Sequence, residues 1–200
     1  MSDLFLSLHG LAIKKHASAD EVAELTGLAA EVVASELQQA AASGRVADAQ
    51  GKYMLTPVGK IGLESQYPQA FAAVRADVGF KGHYERFETI NRELKQIITD
   101  WQTVSVGGKT IANDHSDSDY DDKLIDRLGA FHESAESVLA GLEAGLARMG
   151  RYSEKLLAAL EKSEDGAIEW VSDAKIDSYH TVWFELHEDL LRLMGTERDE

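Results

Sequence analysis

The 200-residue sequence contains no cysteine. That excludes disulfides, thiolate nucleophiles and cysteine-ligated zinc. Proline is nearly missing, at 2 residues, which favours long uninterrupted helices. No apolar run approaches the ~20 residues that a bilayer-spanning helix needs. The opening stretch "MSDLFLSLHGLAIKKHA" has no basic region before its apolar run and no small-residue cleavage site. A soluble, cytoplasmic protein without a membrane partner is therefore expected. Positive charge is the other shortage: 20 Lys/Arg stand against 35 Asp/Glu, a net −15. Residues 1–65 hold five Lys/Arg and eight Asp/Glu, and the remainder is more acidic still. A phosphate backbone repels such a surface unless a local basic patch overrides it.

What is present is mostly helical patterning. An opening helix carries Leu4, Leu8 and Leu11. "SADEVAELTGL" follows, with Ser18 as N-cap and Glu21 three residues on, the spacing of a capping box. Gly27 marks a turn. A third helix, "AAEVVASELQQAAASG", stops at Gly44. "RVADAQ" and "KYMLTP" flank Gly51 and read as two short strands around a tight turn. The order helix, helix, turn, helix, hairpin is that of a winged helix.

Residues 66–200 read as nearly all helix. Phe80, Tyr84, Phe87, Ile90, Leu94, Ile97 and Trp101 recur at steps of three and four. A polar loop is expected over "SVGGKTIANDHSDSDYDD". Leu124, Leu128, Phe131, Ala135, Val138, Leu142 and Leu146 mark a longer helix, broken at Gly150. A short helix should bury Leu156, Leu157 and Leu160. The last, after Asp177 and Ser178, should bury Val182, Trp183, Leu186, Leu190 and Met194. Such stripes are buried only against one another or against a partner. The expected fold is mainly α: an N-terminal winged helix with a small β-hairpin wing (1–65), then an acidic helical bundle (66–200).

Three sets of residues bear on function. The first half of the third helix offers Ala29, Ala30 and Glu31, and no Lys or Arg. Only Lys14, Lys15, Arg45, Lys52 and Lys60 remain for phosphates, enough for weak, salt-sensitive DNA binding. In "NDHSDSDYDD", Asn113, Asp114, His115 and Asp117 can meet a hard cation or a partner's arginines. EF-hand spacing fails there, and Asp117 or Asp119 serves equally well as a helix cap. The third set lies in "IDSYHTVWFELHEDLL", where Tyr179, His180, Trp183, Glu185 and His187 mix rings with polar tips, as helices do when they line a pocket or a partner. His180, Phe184 and His187 should project together toward the 113–115 loop, near Trp101, and carboxylates there should make a histidine hold its proton. Neither a zincin HExxH nor paired ExxH motifs occur, and no P-loop, dinucleotide glycine motif or GxSxG is present. No metal and no cofactor are expected.

Two resemblances add to this. Gly27-Leu28, Gly44-Arg45-Val46 and Leu55-Thr56-Pro57-Val58-Gly59-Lys60 resemble the winged helix-turn-helix of MarR-like regulators over about a third of the chain. The whole chain looks like an actinobacterial module associated with enzymes of the phosphoenolpyruvate synthase and pyruvate phosphate dikinase type. "YERFETINRELKQIITDWQ", "NDHSDSDYDDKLIDRL" and "DSYHTVWFELHEDLL" carry that likeness. It implies a non-catalytic accessory or regulatory subunit that docks onto such a phosphotransferase or presents a small-molecule acceptor to it. The phosphohistidine segment of those enzymes is absent, so phosphotransfer by this chain alone is not implied. The alternatives are a MarR-like transcriptional regulator with a ligand-sensing helical part, compatible with a homodimer, and a stand-alone enzyme using His180 or His187 with Glu185 or Asp114.

Overall fold

The computed structural model describes residues 1–197. The chain is mainly helical, with two small antiparallel hairpins. It divides into two compact units, Met1–Asp77 with Glu185–Glu200, and Val78–Phe184. The boundary expected after residue 65 followed the end of the wing. The compact units part after Asp77 instead, and the first unit takes in the segment from Glu185 on. Among the described residues no helix is long and apolar enough to cross a membrane.

The first unit opens with α1 (Asp3–Lys14), α2 (Ala19–Thr26) and α3 (Ala30–Ala42). Ser18 and Glu21 form the expected capping box, and Gly27 ends α2 in the left-handed conformation. Strands β1 (Val46–Ala49) and β2 (Lys52–Leu55) pair antiparallel. Their turn holds Gln50 and Gly51, both at positive φ. Ala17, between α1 and α2, bridges to Tyr53 of β2 by two backbone bonds. The apolar faces meet in Leu8, Leu11, Val22, Val33, Leu37 and Tyr53, all buried.

Three short helices follow, α4 (Pro57–Glu64), α5 (Tyr67–Ala70) and α6 (Ala72–Ala76), which the sequence pattern did not reveal. Thr56 caps α4 by accepting from Gly59 N–H at 3.1 Å and donates to the Gly44 carbonyl at 2.8 Å. A Cβ on Gly59 would collide with the Arg45 carbonyl oxygen. The Gly44-Arg45 and Thr56–Gly59 motifs are thus two sides of one backbone lock, a structural reason for the residues that carry the regulator-like pattern.

In the second unit α7 (Val78–Gln102) packs on α8 (Ser118–Gly145), and α8 on α9 (Gly150–Glu164). A single 3-10 turn joins α8 to α9, and α10 (Glu169–Ser172) packs on α9. The expected inward residues of α7 and α8 are largely buried. Leu157 is an exception at 45% exposure. Leu156, Ala159, Leu160 and Ser163 take the inner face of α9, and Leu157 lies about 100° of helix away from Leu156. The expected polar loop after Trp101 is partly wrong. Strands β3 (Thr103–Val106) and β4 (Lys109–Ala112) form a hairpin there. Its turn, Gly107-Gly108, has both residues at positive φ, the requirement of a two-residue type I′ turn. The last helix, α11 (Tyr179–Met194), contributes Tyr179–Phe184 to the second unit and its remainder to the first.

Candidate functional site

The loop after β4 is organised by side chains rather than by solvation. Asn113 N–H donates to the Gln102 carbonyl at 2.9 Å, closing the base of the hairpin. Its side-chain amide donates to the Trp101 carbonyl and to Asp121 Oδ1, each at 3.0 Å. Asn113 Oδ1 accepts from His115 N–H at 3.1 Å, while His115 Nδ1 and Asp121 Oδ2 stand 3.0 Å apart. With both amide hydrogens committed and Asp121 an acceptor, Nδ1 of His115 carries the proton, a tautomer assigned from the network. The His115 ring lies 4.6 Å from Trp101 between centroids, and its backbone has φ +56°. Three residues expected to act together, Trp101, Asn113 and His115, are therefore assembled, with the buried Asp121 as a fourth that the sequence did not single out.

Asp114 and Asp117 behave differently. Asp114 is exposed and accepts from Ser116 N–H at 3.1 Å; bonds from Ser116 hold its carboxyl below the usual range. Asp117 caps α8 by accepting from Tyr120 N–H at 3.1 Å. Beside the hairpin runs a groove of about 480 Å³. Its lining includes Val104, Val106 and Ile111 together with Asp114, Asp117 and Tyr120.

Trp183 is buried, as its place on the apolar stripe of the last helix led one to expect, and so is Tyr179; both belong to the core of the second unit rather than to an open contact face. Tyr179 OH lies 3.0 Å from His132 Nδ1, and Trp183 Nε1–H donates to Asn91 Oδ1 at 3.0 Å. Trp183 stacks on Phe87 at 4.7 Å and meets Phe131 edge-on at 5.2 Å. Burial pushes the Tyr179 phenol far up and the His132 imidazole down. His180 is half-buried, and among the described residues no hydrogen bond joins it to the Asn113 loop. The expectation that it holds its proton more tightly is reversed, because burial lowers its pKa.

Glu185 and His187 were expected on a surface face; both are buried in the first unit. Glu185 pairs with Lys14 at 2.9 Å, each side chain 9% exposed. Four residues on lies Asp189, which the sequence did not flag. Its carboxylate is 2.9 Å from His9 Nε2, both at 0% exposure, and His9 Nδ1 is 3.2 Å from Tyr67 OH. Burial pushes the Tyr67 phenol up to about 12, so it stays protonated. Phe5 and Phe71 pack on the His9 ring. The available signal was His9 itself, a lone polar ring within "LSLHGLAI". A pocket of about 460 Å³, lined in part by Tyr67, Arg75, Glu188 and Arg192, opens beside this network. Arg75 donates to the Leu193 carbonyl at 2.6 Å, and Arg192 to Glu188 at 2.6 Å.

The cations weighed for DNA contact are largely engaged. Besides Lys14, Lys52 bonds to Glu21, whose carboxyl burial tends to raise but whose bonds from Lys52 and Ser18 bring down to about 2. Lys60 lies 3.8 Å from Glu64. Arg45 donates to Ser43 Oγ at 2.9 Å. Lys15 is exposed, just beyond α1. Among the described residues no group of three or more His, Cys, Asp or Glu is placed to hold a metal ion. Comparison with protein-family models, curated proteins and solved structures gives no match to this chain.

Proposed function

We propose that this chain is a non-catalytic accessory protein that docks onto a larger phosphotransferase-type subunit, with its first unit a winged helix used for protein contact. Three helices, a hairpin and the Ala17–Tyr53 bridge support the winged-helix reading. One observation carries the functional choice. Lys14, Lys52 and Lys60 face carboxylates, while Val32, Met54, Val58 and Ile61 stand exposed on the same unit. Withdrawing Lys14 to a phosphate would strand a buried Glu185 carboxylate, a cost of several kcal/mol in general. Exposed aliphatic side chains gain from burial in a protein interface. The partner's class comes from the whole-chain resemblance, and the Asn113–His115 cluster is a candidate contact for that partner or for its acceptor molecule.

The test is purification of the tagged chain from its own host, with mass spectrometry of what accompanies it. A large phosphotransferase subunit in stoichiometric amount is the expected result. A gel shift with the DNA flanking its gene gives the counter-test. Binding no tighter than roughly 10⁻⁴–10⁻⁶ M at physiological salt is expected. A nanomolar, sequence-selective shift without a protein partner would instead establish the MarR-like regulator, the second reading, which the same helix-and-hairpin order supports.

A further inference from the structure

We infer that the open edge of β4, with the groove beside it, receives an extended basic segment of a partner protein as an added strand. This deepens the docking reading and rests on it only for the partner's identity. Val106 and Lys109 close the Gly107-Gly108 turn, and Asn113 donates to Gln102 at the other end. Hydrogen-bonded pairs alternate with open ones in an antiparallel ladder, so Val104/Ile111 is a bonded pair and Ser105/Thr110 and Thr103/Ala112 are open. Thr110 and Ala112 therefore direct their N–H and C=O groups away from β3. The sheet has two strands only, and every residue of β4 is exposed. A lone two-stranded ribbon is marginal in water, and its edge is a template for another strand.

Side chains say which strand fits. Directly paired residues share a face, so Val104, Val106, Ile111 and, at the turn end, Lys109 lie together. Val106 is 60% exposed and Ile111 49%. Asp114 and Asp117 line the same groove as Val104, Val106 and Ile111. One parity of an added strand would thus meet aliphatic side chains and carboxylates. A second copy of this chain would bring the same aspartates and a net −15 against them, whereas Lys or Arg at that parity lays its methylene stem on the aliphatic side chains and its charge on the carboxylates, with Val or Ile alternating on the other face.

The test uses the full chain, ¹⁵N-labelled, and a short synthetic peptide of alternating lysine and valine. Matched controls are the glutamate–valine peptide and a lysine–valine peptide N-methylated at alternate amides, which keeps the charge but cannot pair as a strand. The lysine–valine peptide should bind and move the Thr110 and Ala112 amide resonances. N-methylation, or Asp114→Asn, should weaken binding about tenfold or more, the value of about two neutral backbone hydrogen bonds or one to a charged group. Thr110→Pro removes an outward N–H and leaves the ladder bonds intact, so it should abolish the shifts while the circular dichroism stays unchanged. Binding that survives N-methylation, shifts confined to other residues, no binding, or a dimer formed through this edge would each overturn the proposal. Failure here leaves the co-purification result standing, and the reverse holds as well.

Discussion

Leu186 and His187 are neighbours in α11, and both are buried. Leu186→Ala should lower unfolding stability by about 2–5 kcal/mol, the usual cost of emptying a leucine site. His187→Ala should also exceed the ±0.5 kcal/mol typical of surface changes, whereas half-buried His180, without a described hydrogen bond, should cost less than either. Urea titrations of the three variants check the order. His132 and His180 also set a pH dependence. Burial depresses both below the ordinary imidazole value of about 6.5. The unfolded chain therefore takes up protons first on acidification, so stability is full above about pH 6.5 and declines as pH falls toward the folded values. The urea midpoint should fall between about pH 7 and pH 5, and His132→Gln should flatten that fall.

At the scale of elements, the Gly44-Arg45 carbonyls, Thr56 and Gly59 fix how α4 leaves the first hairpin. Gly59→Ala should cost about 1–3 kcal/mol, because backbone has to move to admit the methyl group. Thermal unfolding monitored at 222 nm measures it. The capping box at Ser18, the turn at Gly51 and the long stripes of α7 and α8 were legible in the sequence, since each is a local pattern whose physics is complete within a few turns. The hairpin at 103–112 was missed although its signal was present: Gly-Gly between "TVSV" and "KTIA". Neighbouring Asp and Ser residues made the whole stretch read as loop. The candidate site was half legible. Asn113 and His115 stood out by type, but Asp121 looked like one more acid in an acidic run. Trp183 was legible as buried from its apolar stripe, but Tyr179 was not, because a pattern of one stripe cannot show that a helix is covered on several sides.

For the molecule as a whole, the least legible feature is His9 with Asp189. They are 180 residues apart, so no spacing rule connects them. Asp189→Ala takes the carboxylate from buried His9 Nε2, while the ring keeps its Tyr67 contact, and should destabilise the first unit by about 1–3 kcal/mol, the cost of leaving a buried polar atom unsatisfied. Replacing both residues by leucine should cost less than Asp189→Ala alone, since the stranded ring nitrogen is gone; denaturant unfolding of the single and double variants decides this. The first unit is also split in the chain, with residues 78–184 inserted between its two parts. That has a consequence for biosynthesis. At ordinary elongation rates His9 is added to the growing chain roughly 10–40 s before Asp189. Through that interval the inserted segment emerges in order, while His9 and Lys14 wait for the carboxylates of Asp189 and Glu185. The nascent chain is thus a natural client for ribosome-associated chaperones, and its earliest residues are among the last to reach their native surroundings.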